Sequence, residues 1–205
     1  MENNMIYKIF AFIICFSLIF TGCRKEYEKH YSKGLNLKKK KDISSLKNSI
    51  TEFDKAVDIA VLALNQKQET LVALGIRLIE LKMYLEGAKY IEEALSIFPE
   101  NPTALYYLGL GYANYGEIIL NFDEKIKYFN LAENSFLRGI KIGGDQGNFY
   151  KSLAILYGFK KNDLKKGLEY INGALSISPN DVKSLFVKAN ILYQLKLYTE
   201  SKQIY

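Results

Sequence analysis

The sequence predicts an all-α fold of stacked, antiparallel helix pairs, and three observations carry that prediction. Small and large apolar residues recur at spacings of three, four and seven, which places them on one face of a helix. The stretch "ALSIFPENP", beginning at Ala94, returns eighty residues later as "ALSISPND" from Ala174. The three prolines, Pro99, Pro102 and Pro179, all stand beside the ends of these repeated stretches, where a residue with fixed φ and no N–H can close one helix or open the next.

The chain begins "MENNMIYK", followed by the apolar run Ile9 to Phe20 and then "TGC". That run is twelve residues, whereas a helix needs roughly 20 to span a bilayer. It has the length of the hydrophobic region of a signal peptide. Glu2 offsets Lys8 in a segment that export signals keep positive, so translation is expected to start at Met5. Phe20-Thr21-Gly22-Cys23 resembles the lipobox of bacterial lipoproteins, although the family prefers Leu where Phe20 stands. That resemblance implies a signal peptide over 1–22, a diacylglyceryl thioether and an acylated amine on Cys23, and a short tether over 23–26. The mature protein would be lipid-anchored to a bacterial cell membrane on its extracytoplasmic side. With Cys15 removed and Cys23 lipidated, no thiol remains for a disulfide, a metal or catalysis.

Charge is concentrated. The net charge is +6, and between Arg24 and Lys41 there are eight basic residues and two acidic ones, while from Asp42 onward 19 basic face 19 acidic. A nucleic-acid binder carries its basic face on the folded domain, so this distribution excludes that class. The basic stretch either meets anionic headgroups beside the anchor or, at Lys38 to Lys41, ends a helix whose dipole favours cations.

The helical units follow in order. An opening unit places His30, Lys33, Gly34 and Leu37 on a first helix and Ser49, Phe53 and Ala56 on a second. The next carries Leu71, Leu74, Gly75 and Leu78, then Gly87, Ile91 and Ala94. Leu105, Leu108, Gly109 and Tyr112 repeat the pattern, followed by Ala132, Phe136 and Gly139. Tyr150, Leu153, Ala154 and Tyr157 repeat it again, with Gly167, Ile171 and Ala174. Leu185, Lys188, Ala189 and Leu192 open a last unit in which Ser201 and Tyr205 begin the second helix. In each pair a small residue lets two backbones approach, and a large one fills the space beside it.

These signatures resemble the tetratricopeptide repeat, a 34-residue helix-turn-helix with the pattern W-x2-L-G-x2-Y, then A-x3-F, then Pro. No repeat here has the Trp. The resemblance covers Tyr27 to the end and implies one right-handed superhelix, an α-solenoid. Its repeats are expected over 27–67, 68–101, 102–146, 147–181 and an incomplete 182–205. Two 34-residue repeats leave twelve of the eighty residues over; eleven fall in the unit from Pro102 and one in the unit after it. The eleven should lengthen a helix hairpin whose tip carries Ile118, Ile119, Leu120 and Phe122, a candidate partner contact.

The resemblance also implies a groove lined by Tyr31, Leu35, Val72, Ile76, Tyr106, Leu110, Asn114, Lys151, Ile155, Phe186 and Asn190, of the kind that receives a peptide or a partner helix. The family's carboxylate clamp needs Lys and Asn one turn apart, and Lys151 is followed by Ile155, so no clamp is expected. His30, the one histidine, reads as a packing residue. It has no second ligand for a metal and no activated nucleophile nearby. No cofactor is expected beyond the lipid on Cys23, and no catalytic residue.

The functional expectation is a membrane-anchored adaptor or scaffold that binds a protein or peptide partner in an envelope-assembly, cell-wall or secretion complex. The alternatives are a surface lipoprotein contacting host or matrix molecules and, further off, a solute-binding component or an enzyme. The unfinished last unit leads to the expectation of a longer parent protein, or of self-association through the C-terminal repeat.

Overall fold

The computed structural model describes Gly22, residues 24–40 and residues 42–204. The signal-peptide segment before Gly22 and the lipidation candidate Cys23 lie outside the described residues, as do Lys41 and Tyr205. The fold is all-α: no strand occurs among the described residues, and no helix among them is long and apolar enough to cross a membrane. The chain forms two compact units, Met1–Lys67 and Gln68–Tyr205.

In the first unit, α1 (24–39) pairs with the opening part of α2 (Ile43–Glu80). Lys38 and Lys39 form the last turn of α1, the place where lysines suit the exposed carbonyls of a helix end. Gly34 makes the crossing possible, because a Cβ there would sit 2.7 Å from the ring of Phe53. Ser49 Oγ donates to the carbonyl of Gly34 at 2.8 Å, which ties the two backbones together at that point. His30 does more than pack: its Nδ1 lies 2.5 Å from Oε2 of the buried Glu52. Lys33 and Lys55 donate to the other oxygen of Glu52 at 3.0 and 3.3 Å.

Those hydrogen bonds, from His30 first and Lys33 next, pull the Glu52 carboxyl from 4.5 down to about 2. A lowered folded-state value stabilises the fold above the unfolded value, and that contribution disappears as pH falls through the folded one. The α1–α2 pairing is therefore expected to loosen between about pH 4.5 and 2. Hydrogen exchange along α1 should accelerate over that window in the native chain. In Glu52→Gln the step should vanish, and an unchanged acid profile would remove Glu52 from this role.

Ile43–Glu80 is a single helix that runs through the repeat start expected near Gln68. The reason is local: no glycine or proline stands between Ile43 and Leu74, whereas the later repeat starts have Pro102, Gly143 and Gly144, or Pro179 beside them. Lacking a breaker, the second helix of one repeat and the first of the next join.

The second unit stacks the rest of α2, α3 (Tyr84–Ile97), α4 (Pro102–Ile118), α5 (Phe122–Lys141), α6 (Gln146–Ile155), α7 (Leu164–Ile177), α8 (Val182–Gln194) and α9 (Tyr198–Lys202). Each pair uses the small residue of the sequence pattern. At the first crossing glycine meets glycine, since a Cβ on Gly87 would stand 2.6 Å from the carbonyl oxygen of Gly75. At the next two, glycine meets an aromatic ring: Gly109 lies against Phe136 and Gly139 against Phe149. Ile91, Leu105, Phe136, Phe149 and Leu153 form the centre of the main core, and Ile171, Ala174 and Ile191 a second one. Leu74 departs from the pattern at 41% exposed; in its own unit no helix precedes it to cover that side.

The hairpin that opens at Pro102 is long. α4 has 17 residues and α5 has 20, against 14 in each of α3 and α7. The single extra residue of the following unit has a different outcome. Leu74 to Gly87 is a step of thirteen, while Leu153 to Gly167 is a step of fourteen. Between the latter two, the end of α6 widens into a π-helical turn over Leu156–Lys160, closed by Lys161 N–H to the Leu156 carbonyl at 2.9 Å. One residue inserted into a helix is commonly absorbed as such a π-bulge. Widening keeps Gly158 in register against Gly167, where a Cβ would come within 2.9 Å of backbone.

Candidate functional site

Two adjoining recesses lie in the second unit, along the N-terminal ends of α4, α6 and α8. Side-chain caps build that edge. Asn101 accepts from Ala104 N–H at 3.0 Å, with Pro102 opening α4. Asp145 accepts from Asn148 N–H at 3.2 Å and from the Asn148 side chain at 2.6 Å. Asp181 accepts from Ser184 N–H at 3.1 Å and from its hydroxyl at 2.6 Å. Each cap satisfies a helix-end N–H that would otherwise lack a partner.

The first recess, of about 290 Å³, is lined by Pro102, Thr103, Tyr106, Tyr107, Asn148 and Phe149, with Asp145 at its rim. Its floor is aromatic: Tyr106 meets Tyr107 edge-on at 5.4 Å and Phe149 at 5.6 Å. The second, of about 200 Å³, shares Asp145 and Asn148 and continues to Lys151, Ser178, Asp181 and Ser184. Lys151 donates to Asp181 at 3.1 Å. The bond from Ser184 first, and that from Lys151 next, hold the Asp181 carboxyl down at about 2. An aromatic hollow beside carboxylate and amide acceptors can hold an apolar side chain while accepting hydrogen bonds from backbone N–H groups of an extended segment.

Of the groove residues read from the sequence, Tyr106 and Lys151 line these recesses. Tyr31 and Leu35 are exposed on α1 of the first unit. Val72 requires correction: at 7% exposed it belongs to the core and offers no groove surface. Ile76, Leu110 and Ile155 are half-buried against the cores, and Asn114 is half-buried. Phe186 is exposed, and Asn190 donates to its carbonyl at 3.0 Å. At the tip of the long hairpin Ile118, Leu120 and Phe122 are exposed, Leu120 entirely so, while Ile119 is half-buried.

Sequence reading missed Thr103, Tyr107, Asp145, Asn148 and Asp181. For all but Tyr107, which stands within α4, the signal was present as polar residues around each helix start, in "ENPT", "GDQGN" and "SPND". It also missed an ionic cluster at the π turn. Tyr157 and Lys161 both hydrogen-bond Glu133, and Lys161 also reaches Asn130 at 2.8 Å. Lys166 donates to the Tyr157 hydroxyl at 2.6 Å and sits 4.0 Å from its ring centre, while Lys160 pairs with Glu117 on α4. Burial first, and Glu133 next, push the Tyr157 phenol well above its ordinary value. This cluster ties the widened turn to the long hairpin. No group of residues able to hold a metal occurs among the described residues.

Known proteins give the same architecture. Residues 18–169 match the family model described as plant-specific mitochondrial import receptor subunit TOM20. A TPR repeat-containing protein of Borreliella burgdorferi is 28% identical over 199 residues, covering 92% of this chain and 85% of the relative. Among solved structures, the thermophilic TPR protein TTC0263 of Thermus thermophilus aligns with a TM-score of 0.62 at 12% identity, over 87% of each chain. MamA from Desulfovibrio magneticus RS-1 aligns at 0.56 and 16% identity, over 87% of this chain and 90% of its own. The first TPR of Spaghetti (RPAP3), bound to the HSP90 peptide SRMEEVD, aligns at 0.53 and 17% identity, over 64% of this chain and 94% of its own.

Proposed function

The chain belongs to the family of that TOM20 model and to the tetratricopeptide-repeat proteins, and from this premise we propose that it is a lipid-anchored, extracytoplasmic adaptor. It would bind a protein or peptide partner in the recesses along α4, α6 and α8. The observation that carries the reading is the aromatic hollow of Tyr106, Tyr107 and Phe149 adjoining the Asp145–Asn148 acceptors. A structural neighbour of the same fold holds a peptide, which supports a peptide or extended segment as the occupant. The anchor rests on Cys23 and the apolar run before it, and the exposed hairpin tip offers a second contact for the same partner. On this reading the site binds and carries no catalytic step; its Lys151 and Asp181 pair with each other, and Asp145 and Asp181 cap helix ends.

Photo-crosslinking from Thr103 in intact cells tests this reading. Thr103 is exposed at the mouth of the first recess, so the crosslinker tolerates the fold and should trap one dominant partner. Asn148→Arg should fill the recess and weaken that partner's binding about tenfold or more, equivalent to ~1.4 kcal/mol, at unchanged melting temperature. Ile118→Asp with Phe122→Asp should weaken it separately if the hairpin tip contributes. A crosslinked partner unaffected by Asn148→Arg would place binding elsewhere.

A further inference from the structure

The first unit leaves one face of α2 uncovered. Ile43, Leu46, Ile50, Val57, Val61 and Leu64 are each between 39% and 76% exposed. Ile43, Leu46, Ile50, Phe53, Val57, Ala60 and Leu64 follow one another at alternating steps of three and four. That is the a and d pattern of three heptads, long enough to read as a coiled-coil seam. α1 packs on an adjoining side of the same helix, through Ser49 and Glu52, and meets the seam at Phe53 and, through Arg24 and Tyr27, beside Ala60 and Leu64. In a repeat array the open face of a second helix receives the first helix of the next repeat. Here no turn interrupts Ile43–Glu80, so the following residues continue the helix and the face stays open.

We propose that this face joins two copies of the chain as a parallel two-stranded coiled coil over residues 43–64, flanked by the two α1 helices. The residue types select that occupant and that orientation. Ile43, Ile50 and Val57 are β-branched at a and Leu46 stands at d, the combination that favours two parallel strands. Asp42 at g and Lys47 at e are five residues apart, the spacing at which g of one strand meets e of the other, so symmetry gives two opposite-charge pairs. At the far end of the seam d is the small Ala60. Beside it an apolar recess of about 450 Å³, bordered by Tyr27, Ile59, Ala63 and Leu64, leaves room for a larger side chain of the second copy.

Orientation has one further support, which rests on the anchored reading above. Arg24 and Tyr27 border that same recess, so the start of α1 lies near the Leu64 end of the seam. Parallel pairing puts both starts at one end, as two anchors in one membrane require. Antiparallel pairing would separate them by roughly the seam length, about 33 Å at 1.5 Å per residue.

The test uses the full chain in detergent. Sedimentation should give twice the mass of one chain. Leu46→Cys should form a disulfide-linked dimer on mild oxidation, beyond any formed by the parent through Cys15 and Cys23, because like d positions face each other within disulfide range in parallel strands. Ile50→Asp with Val57→Asp, both at sites more than half exposed, should weaken dimerisation by about a hundredfold, while helicity and melting temperature hold. Phe186→Glu should leave the dimer intact, which separates this seam from association through the C-terminal repeat. Cys23→Ala should also leave it intact, so failure of the anchor and failure of the seam are distinguishable. A monomer at every concentration overturns the proposal, as does a dimer that survives Ile50→Asp with Val57→Asp. A disulfide at Phe53→Cys, the centre of the seam, but none at Leu46→Cys would overturn the parallel orientation.

Discussion

Replacing Phe136 by alanine is expected to destabilise the second unit by about 3–5 kcal/mol, the range for truncating a buried phenylalanine. Phe136 is 1% exposed and its ring rests on Gly109, where a Cβ would approach to 2.3 Å. It also contacts Tyr106 and Phe149, with ring centres 6.3 Å away in each case. Helix backbone lies on one side of the vacated space and rings on the other, so little can move in to fill it. Urea denaturation of the native and variant chains would measure the loss. The reciprocal change, Gly109→Ala, should also destabilise, by about 1–3 kcal/mol through overpacking. Gly109→Ala combined with Phe136→Leu should be less damaging than the two separate losses added, because the residues touch. Strict additivity would show that the two do not share one packing space.

The second large effect concerns membrane attachment. On the anchored reading, Cys23→Ala is expected to move the protein from the membrane fraction to the soluble fraction and to leave the precursor uncleaved. Each buried lipid methylene contributes about 0.8 kcal/mol and a single chain holds only marginally, so several chains on Cys23 would hold the protein stably and their loss would release it. On the same reading the basic stretch from Arg24 would add attraction that salt screens over about 8 Å at physiological ionic strength. Residual binding of the variant should therefore fall as salt rises. Normal processing and unchanged fractionation of Cys23→Ala would end the lipoprotein reading.

The positions of the glycines already contained the helix crossings. Gly75, Gly87, Gly109, Gly139 and Gly167 stand where the repeated small-and-large pattern places them, since only a residue without a side chain lets backbones or rings come that close. Length arithmetic assigned eleven extra residues to the unit from Pro102 and one to the unit after it, the units that hold the long hairpin and the π turn. It could not give their form: a widened π turn, a bulged loop and a longer helix all absorb one residue. Packing of Gly158 on Gly167 and the hydrogen bonds of Lys161 to Glu133 and Asn130 selected the π turn.

The sequence by itself determined the helix pairing, the repeat period and the all-α class, because spacing along a helix fixes which residues share a face. The continuity of α2 past Lys67 went against the repeat start expected near Gln68, although no glycine or proline stands there to break the helix. Tertiary structure alone decided that Val72 is core and not groove, that Glu52 gathers His30, Lys33 and Lys55, and that the caps Asp145 and Asp181 border the recesses along α4, α6 and α8. Those outcomes depend on neighbours from other helices, and periodicity within one helix records which side faces inward but not what arrives to meet it.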